Sequence, residues 1–337
     1  MKKGIKRIIM KNISFIIALR LFYEITKTMP NIRNNFFEKK IISKNQGPIK
    51  IKGHKITIKR EDKIDKWISG NKFRKLKYIF LKLNIDKTNK FLSFGGAFSN
   101  HLGALAKAGN FYGIKTIGIV RGKEWKNKIL LNPTLSFCKK NKMDLYFVSR
   151  GEYRLYEEGI TSKKIINSNS DIIIIPEGGL SIEAIKGCKE ILTLDDKEFD
   201  SVCVSVGTGC TISGIIESSN LNQFVLGFLS LKHKNMKEEI FKNTSRINWT
   251  LIDNYTFNGY AKVNQELINF INYFYKKHKI PLDPIYNAKM VFGIFDMIKK
   301  NKWKWGKNIL VINSGGLKGV NGMNLKLKQR GWGTINF

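Results

Sequence analysis

The chain has 337 residues, of which 42% are hydrophobic and 12% aromatic. This length and composition allow two globular domains and exclude a disordered or fibrous protein. The formal net charge is +34, from 60 Lys and Arg against 26 Asp and Glu. Lysine greatly outnumbers arginine, and lysine, asparagine and isoleucine are frequent along the whole chain, which indicates a drift toward AT-rich codons. We therefore expect no nucleic-acid partner, although the charge alone keeps a basic nucleic-acid-binding protein as an alternative.

The cysteines and histidines show no metal-type or disulfide-type spacing. No C-x-x-C or H-x-x-x-H pair occurs among Cys138, Cys188, Cys203, Cys210, His54, His101, His233 and His278. The sequence thus predicts no metal site and a reducing compartment. Residues 1–30 contain an apolar run that Arg20 interrupts and that is too short to span a bilayer. We expect a poorly ordered extension there, and a cytoplasmic protein without membrane association.

From about residue 48, short β-branched runs alternate with longer helical runs. This alternation is typical of parallel sheets covered by helices. The predicted strands are Lys55–Lys59, Lys90–Phe94, Thr116–Val120, Asp144–Val148, Asp171–Ile175, Ser201–Val206, Gln223–Leu229 and Asn308–Ile312. Several are followed by glycine-containing turns. Because ligands of open α/β sheets bind at the carboxyl ends of strands, these turns are candidate binding segments.

Lys72 follows Gly70 and Asn71 and precedes an amphipathic run from Phe73 to Leu83. The pattern predicts a lysine at the start of a helix, where partial burial and the helix N-terminus lower the pKa of an amine. A lowered pKa favours the neutral nucleophile that forms a Schiff base. Taken alone, a solvated surface position is the more ordinary interpretation of one lysine in so lysine-rich a chain.

Two turns carry residues suited to anions. Ser99, Asn100 and His101 follow a glycine turn and open a helix of small residues, where they either cap the helix or face a carboxylate or phenolic oxygen. The run V-G-T-G-C-T-I-S-G at 206–214 follows a buried strand and begins a helix. Its backbone N–H groups and threonine hydroxyls either bind a phosphate or form only a tight turn.

Two tyrosines and a serine complete the candidates. Tyr286 lies on a proline-containing turn before a helix, and Tyr260 lies beside Gly259. Both either belong to the core or face a ligand. Ser314 follows the last predicted strand, where it either reaches a ring nitrogen or belongs to a simple Gly-Gly turn.

In chain order, these segments resemble the family of pyridoxal-phosphate (PLP) enzymes that contains 1-aminocyclopropane-1-carboxylate deaminase and D-cysteine desulfhydrase. The resemblance extends from about residue 60 to residue 322. It depends on the motifs G-N-K-F-R-K-L at 70–76, F-G-G-A-F-S-N-H at 94–101, N-P-T-L at 132–135, I-P-E-G-G at 175–179, G-T-G-C-T at 207–211, G-Y-A at 259–261, L-D-P-I-Y at 282–286 and S-G-G-L at 314–317.

The resemblance implies an α/β protein with two open, mostly parallel-sheet domains, helices on both faces and PLP in the cleft between them. This is the tryptophan synthase β-like fold, or fold type II. The implied large PLP-binding domain comprises residues 31–74 and 186–337, and the implied small inserted domain comprises residues 75–185. A homodimer and a small amino-acid substrate are also implied.

The same resemblance implies the cofactor-binding residues. Lys72 would form the Schiff base with PLP, and Asn100 would bind the phenolic oxygen of the cofactor. Tyr286 would stack on the pyridine ring, and Ser314 would reach its nitrogen. The phosphate would be bound by Gly207, Thr208, Gly209, Cys210 and Thr211.

For the substrate, the resemblance implies catalytic roles for Lys72, Ser99, Tyr260 and Tyr286. Lys72 would also carry the proton at the α or β carbon. Ser99 and His101 would bind the substrate carboxylate, with Asn100 beside them, and Tyr260 would reach the substrate.

Two positions depart from the family pattern. Asn287 stands where the deaminase has a glutamate that can charge the pyridine nitrogen, so this site resembles the deaminase less. Cys210 stands where relatives usually have glycine, which puts the affinity for PLP in question. We expect a lyase, deaminase or hydrolase that eliminates the β group of D-cysteine or a similar amino acid to give a keto acid and ammonia. The alternatives are 1-aminocyclopropane-1-carboxylate deaminase and a degenerate, non-catalytic homologue.

Overall fold

The computed structural model of the protein describes residues 36–39, 41–82, 89–169 and 171–337. An N-terminal unit ends at Lys40. Its described part is a turn in which the rings of Phe36 and Phe37 pack edge to face, with their centroids 5.3 Å apart. Residues 41–337 form a second compact unit. The predicted extension at 1–30 lies outside the described residues. Within the described ranges, no helix is both long and apolar enough to span a membrane.

A six-stranded sheet has the strand order β1-β2-β10-β7-β8-β9. Its strands are β1 (Asn45–Ile51), β2 (His54–Lys59), β7 (Ser201–Val206), β8 (Phe224–Leu229), β9 (Trp249–Ile252) and β10 (Asn308–Ile312). Only the β1–β2 pair is antiparallel, and the other neighbouring strands run parallel. The segment between β2 and β7 forms a second sheet of four parallel strands in the order β5-β4-β3-β6. These are β3 (Lys90–Gly96), β4 (Lys115–Arg121), β5 (Asp144–Val148) and β6 (Ile172–Ile175).

Eleven α-helices connect the strands of the described chain. They are α1 (Asn71–Lys82), α2 (Asn100–Tyr112), α3 (Pro133–Lys140), α4 (Arg150–Tyr153), α5 (Ile160–Asn167), α6 (Ile182–Cys188), α7 (Cys210–Ser218), α8 (Met236–Phe241), α9 (Gln265–His278), α10 (Asn287–Lys299) and α11 (Gly319–Gln329). Ser99 and Asn132 cap α2 and α3 with side-chain oxygens, as residues before a helix commonly do.

Helices cover both faces of the six-stranded sheet. Alternate residues of one strand enter different cores, because successive side chains of a strand point to opposite faces. Ile309 and Val311 pack in the core formed with α9, α10 and α11. Leu310 and Ile312 pack in the core formed with α6, α7 and α8. This burial on both faces explains the nearly continuous apolar sequences of β7 and β10.

All eight predicted strands are present, with bounds that differ by at most two residues at either end. Two strands at the edges of the six-stranded sheet, β1 and β9, are not among the predicted strands. Pro48 lies inside β1, and proline, which lacks an N–H donor, is tolerated mainly in edge strands. β9 has only four residues and is therefore too short for a clear alternation. The predicted α/β fold with two mostly parallel sheets is confirmed.

Candidate active site

Lys72 lies in the first turn of α1, as the sequence predicts. Gly70, just before the helix, has a φ of +57°, a value that side chains other than glycine rarely adopt. A Cβ atom on Gly70 would lie 2.0 Å from the carbonyl oxygen of Ser314. The start of α1 is therefore pressed against the loop after β10, which positions Lys72 over the carboxyl edge of the six-stranded sheet.

Two hydrogen bonds connect Lys72 with the turn at 207–211. The Lys72 Nζ donates to the Asn71 Oδ1 at 2.9 Å, and the Asn71 Nδ2 donates to the Thr211 Oγ1 at 3.0 Å. Lys72 is half-buried, and it lines the first of the two cavities described below. Burial and the neighbouring charge of Lys75 lower the pKa of Lys72 to about 7. A large fraction of this amine is therefore neutral and nucleophilic near neutral pH.

The turn after β7 has the shape of an anion-binding site. Gly209, in the left-handed region with a φ of 80°, precedes α7. The first N–H groups of a helix have no partner within the helix and attract negative charge. At Gly207, an added Cβ atom would lie 3.2 Å from a ring carbon of Tyr286, so the turn and the tyrosine ring are in close contact. The free N–H groups of this turn are therefore suited to a phosphate, and the Tyr286 ring lies directly beside them.

All predicted site residues line two adjoining cavities. The first, of about 610 Å³, is lined by Lys72, Asn100, Gly207, Thr208, Gly209, Cys210, Thr211, Tyr286 and Ser314. The second, of about 940 Å³, is also lined by Lys72, Asn100 and Tyr286, and includes Ser99, His101 and Tyr260. The first cavity therefore combines an amine, a phosphate-binding turn and an aromatic ring, and these residues fit PLP. No group of residues able to hold a metal ion occurs within the described chain.

The turn before α2 is held by its own side chains. The Ser99 Oγ accepts a hydrogen bond from the Leu102 N–H at 3.2 Å and so caps the helix. The Asn100 Nδ2 donates to the Gly316 carbonyl oxygen at 3.1 Å, and its Oδ1 accepts from the Lys318 N–H at 3.3 Å. The capping interpretation of Ser99 is confirmed. Asn100 additionally fixes the α2 turn against the loop after β10, beside Lys72.

His101 is only 3% exposed, and its tautomer follows from its neighbours. The Ser93 hydroxyl donates to the Ile175 carbonyl oxygen at 2.7 Å, so its oxygen accepts from the His101 Nε2, which lies 3.0 Å away. The Nδ1 is then a free acceptor, without a partner in the described structure. Burial and the charges of Lys72 and Lys75 lower the pKa of His101 to about 3. A neutral ring with a free Nδ1 is better suited to a hydrogen-bond donor than to a carboxylate.

Asn287 and Ser314 have different positions relative to the cavity. The buried Asn287 Nδ2 donates to the Asp283 Oδ2 at 2.6 Å and to the Gly315 carbonyl oxygen at 2.8 Å. Its Oδ1 accepts from the Ser314 N–H at 3.2 Å and from the Ser314 hydroxyl at 3.3 Å. The Asn287 amide is therefore engaged on all sides, and Ser314 is the neutral group of this pair that lines the cavity.

Cys210 begins α7 and is completely buried. Its Sγ lies 3.8 Å from the Gly179 carbonyl oxygen. The side chain is therefore directed at the 177–179 segment, and its backbone N–H belongs to the turn. We conclude that the sulfur occupies space that a glycine would leave against Gly179.

Several charged residues that line the cavities are not among the predicted site residues: Lys75, Arg121, Glu177 and Lys326. The Lys75 Nζ donates to the Gly178 carbonyl oxygen at 2.6 Å. Lys75 follows Lys72 by three residues on α1, so helical spacing could have placed both amines on one face. Arg121 ends β4, and the rule that ligands bind at the carboxyl ends of strands could have identified it.

Comparison with known proteins matches no family model. A protein of Pyrococcus furiosus, provisionally named a 1-aminocyclopropane-1-carboxylate deaminase, is 27% identical over 80% of this chain and 87% of its own length. The mitochondrial bifunctional D-cysteine desulfhydrase/1-aminocyclopropane-1-carboxylate deaminase of Arabidopsis thaliana is 27% identical over 80% of this chain and 74% of its own length. A crystal structure of an ACC deaminase homologue is 25% identical, with a TM-score of 0.68 over 82% of this chain and 89% of that chain.

Over most of its length, the chain is similar to proteins named 1-aminocyclopropane-1-carboxylate deaminase and D-cysteine desulfhydrase. The resemblance inferred from the motifs is confirmed, and so is the tryptophan synthase β-like fold. A threonine deaminase of Solanum lycopersicum, 17% identical with a TM-score of 0.61, shares this fold. The protein is a PLP-dependent enzyme of the lyase or deaminase type. The broader expectation of a hydrolase is wrong, because the relatives are named as deaminases and a desulfhydrase.

Proposed function

We propose that this homologue eliminates the β group of D-cysteine, or of a similar β-substituted amino acid, and releases a keto acid and ammonia. One observation carries the proposal. The Lys72 amine, with a pKa of about 7, lies in the same cavity as the phosphate-binding turn at 207–211. A cofactor that carries both an aldehyde and a phosphate would use the amine and the turn together.

We assign the cofactor-holding residues as follows. Lys72 holds the aldehyde carbon, Asn100 the phenolic oxygen and Ser314 the ring nitrogen, while Tyr286 packs on the ring. The turn of Gly207, Thr208, Gly209, Cys210 and Thr211 holds the phosphate. When bound, PLP supplies an electron-accepting ring that stabilises negative charge at the substrate α carbon.

The reaction then depends on the position of protons. Lys72, which borders both cavities, takes the proton from the α carbon, and its lowered pKa makes it an effective base near neutral pH. The ring centroids of Tyr260 and Tyr286 lie 6.2 Å apart, and both residues line the second cavity. We assign Tyr260 to the substrate side and Tyr286 to the cofactor side. Ser99, Asn100 and His101 contact the substrate from the start of α2.

The neutral partner of the ring nitrogen favours elimination. Ser314 and Asn287 carry no charge and cannot hold a proton on that nitrogen as a glutamate does. A less electron-accepting ring gives less support to a long-lived carbanion. Loss of a good leaving group such as a thiolate shortens the carbanion's life, whereas opening of a cyclopropane ring does not. The alternative activity, 1-aminocyclopropane-1-carboxylate deamination, is supported by the names of the relatives.

The first experiment tests the lysine. Protein purified with PLP should show the absorbance band of a lysine-bound cofactor, and borohydride reduction should attach the cofactor to the peptide that contains Lys72. Lys72→Ala should lose both signals, whereas Lys63→Ala, which removes an exposed lysine from the segment before the helix that contains Lys72, should keep them. A cofactor attached to another lysine, or none attached to the purified protein, would overturn the assignment.

The second experiment identifies the reaction. D- and L-cysteine should be assayed for sulfide, pyruvate and ammonia, and 1-aminocyclopropane-1-carboxylate for 2-oxobutyrate and ammonia. We expect sulfide from a cysteine enantiomer to exceed 2-oxobutyrate at equal substrate concentration. The reverse order would support the deaminase alternative, and cofactor binding without product from any substrate would support a degenerate homologue.

We further propose a cytoplasmic homodimer with a small inserted domain at 75–185, which contains the four-stranded sheet, and a large domain at 31–74 and 186–337. Light scattering of the purified protein should give twice the mass of one chain. We expect no nucleic-acid partner. A gel shift with mixed-sequence DNA that persists at physiological salt would contradict this, because charge alone gives strongly salt-dependent binding.

A further inference from the structure

We propose that the site prefers a substrate whose β substituent is itself an anion, such as a phosphate, sulfate or sulfonate group. The inference depends on the proposed β-elimination and names the substrate class for it. It is carried by Arg121 and Lys326, which line the second cavity together with Lys72 and which the proposed reaction does not otherwise use.

Arg121, at the end of β4, is a guanidinium without an anion. Its guanidinium carbon lies 5.3 Å from the centroid of the Tyr153 ring, and within the described chain its side chain forms neither a hydrogen bond nor an ion pair. By contrast, Arg60, Arg74 and Arg150 each pair with a carboxylate at 2.6–2.8 Å. A guanidinium presents five N–H donors in a fixed plane that matches phosphate and carboxylate oxygens. Arg121 is therefore built to meet an oxyanion.

The position of Arg121 directs those donors toward the substrate. A Cβ atom on Gly96 would lie 3.5 Å from the Arg121 Nη2. Gly96 belongs to the segment 96–101, which lines the second cavity and ends in the residues assigned to the substrate. The guanidinium thus lies at the wall of the substrate cavity.

Lys326 provides a second cation on another wall. It belongs to the face of α11 formed by Gly319, Gly322 and Met323, and it is exposed at the cavity edge. It also lines an adjoining cavity in which the other charged residues are Lys262 and Arg330. Burial and the nearby charges of Arg330, Lys262 and Arg121 lower the pKa of Lys326, as expected where cations gather without carboxylates.

The acidic residue of the same cavity is Glu177, which is already bound elsewhere. Its two carboxylate oxygens accept hydrogen bonds from the Tyr153 hydroxyl at 2.7 Å and the Tyr156 hydroxyl at 2.9 Å. Glu177 therefore forms no ion pair with Arg121 or Lys326 within the described chain, and both cations remain without a carboxylate partner. A substrate with only one carboxylate leaves the second cation of the cavity unmatched, whereas a substrate with an additional anion can match both.

The reaction balances with a phosphate as leaving group. The α proton goes to the Lys72 Nζ, the Cβ–O bond breaks, and its electron pair leaves with the phosphate. The enamine that remains takes up one water molecule and gives pyruvate and ammonia. No oxidant, reductant or further co-reactant is required.

The test measures the PLP-loaded enzyme with O-phosphoserine and with β-chloroalanine, whose β substituent is uncharged and is a good leaving group. Both enantiomers of each substrate are used. We expect the KM for O-phosphoserine to be at least about tenfold lower, since a hydrogen bond to a charged group contributes about 1.5 kcal/mol or more. Arg121→Gln should raise this KM about tenfold and change that of β-chloroalanine less than about twofold. Lys326→Gln should act in the same direction, and the matched variant Lys328→Gln, on an exposed part of the same helix, should not.

The possible results separate the two proposals. If Arg121→Gln weakens both substrates equally, Arg121 binds the shared α-carboxylate and the inference is wrong. It is also wrong if β-chloroalanine reacts and O-phosphoserine neither reacts nor inhibits. If the wild-type enzyme binds PLP yet converts neither substrate, nor any cysteine, the proposed β-elimination fails instead. Arg150→Gln, which removes an exposed arginine paired with Glu124, controls for the general positive charge of the surface.

Discussion

Substitution of Lys75 by methionine should shift the pH at which Lys72 captures the cofactor. Burial is the largest cause of the low pKa of Lys72, and the charge of Lys75 is the second. Both disfavour the protonated amine, so the neutral form grows as pH rises through about 7 rather than through the ordinary 10.5. Without Lys75, one cause is lost and the pKa of Lys72 should rise.

The magnitude follows from the fraction of neutral amine. At pH 7, an amine with a pKa of about 7 is about half neutral, whereas an ordinary lysine is neutral in only about one molecule in three thousand. Removal of one nearby like charge typically changes a pKa by about one unit. The neutral fraction of Lys72 in Lys75→Met should then fall about fivefold at pH 7 and remain unchanged near pH 9.

The assay is stopped-flow binding of PLP to the cofactor-free enzyme between about pH 5.5 and pH 9.5. The rate should increase about tenfold per pH unit below the pKa of Lys72 and then level off, with the break displaced upward in Lys75→Met. Pyridoxal, which lacks the phosphate, separates the titration of the amine from that of the cofactor. Lys63→Met serves as the control. A wild-type rate that keeps rising toward pH 10 would refute the argument, since Lys72 would then titrate like a surface lysine.

Three further substitutions test the geometry of the site. Gly70→Ala should cost more than about 3 kcal/mol of unfolding free energy and abolish cofactor binding, because its Cβ would lie 2.0 Å from a backbone carbonyl oxygen. Gly53→Ala, also at positive φ but with no atom within 4 Å, should cost only about 1 kcal/mol in the same urea titration. Asn287→Asp places a second carboxylate beside a buried aspartate and should destabilise the protein by about 3 kcal/mol at pH 7, with Asn301→Asp as the neutral control. The pKa of the new carboxyl is raised in the folded state, so this loss should shrink as the pH falls toward about 4, and a constant loss would contradict the electrostatic cause. Cys210→Ala should change the dissociation constant of PLP less than about threefold, because the sulfur faces Gly179.

Much of the site was predictable because its residues follow parallel strands. The turns after β3, β7 and β10 each end a nearly continuous apolar run that the sequence shows directly. The carboxyl ends of parallel strands lie at one edge of a sheet, so residues far apart in the chain must meet there. The order of the motifs then indicated the family, and each predicted residue lines one of the two cavities.

Other features depended on contacts between distant segments. The burial of Lys72, the tautomer of His101 and the free guanidinium of Arg121 are set by tertiary packing that no local pattern identifies. The amide of Asn287 turned out to be used up by Asp283, Gly315 and Ser314, and this left Ser314 to face the cavity.

By itself, the sequence determined the strand order along the chain, the glycine turns and the residue types available for chemistry, because hydrophobic periodicity and backbone freedom are local properties. The tertiary structure alone decided which lysine is desolvated, which histidine nitrogen is free and which arginine lacks a partner. Those properties arise from burial between segments that are distant in the chain, such as those of Asn71 and Thr211, whose side chains are hydrogen-bonded beside Lys72.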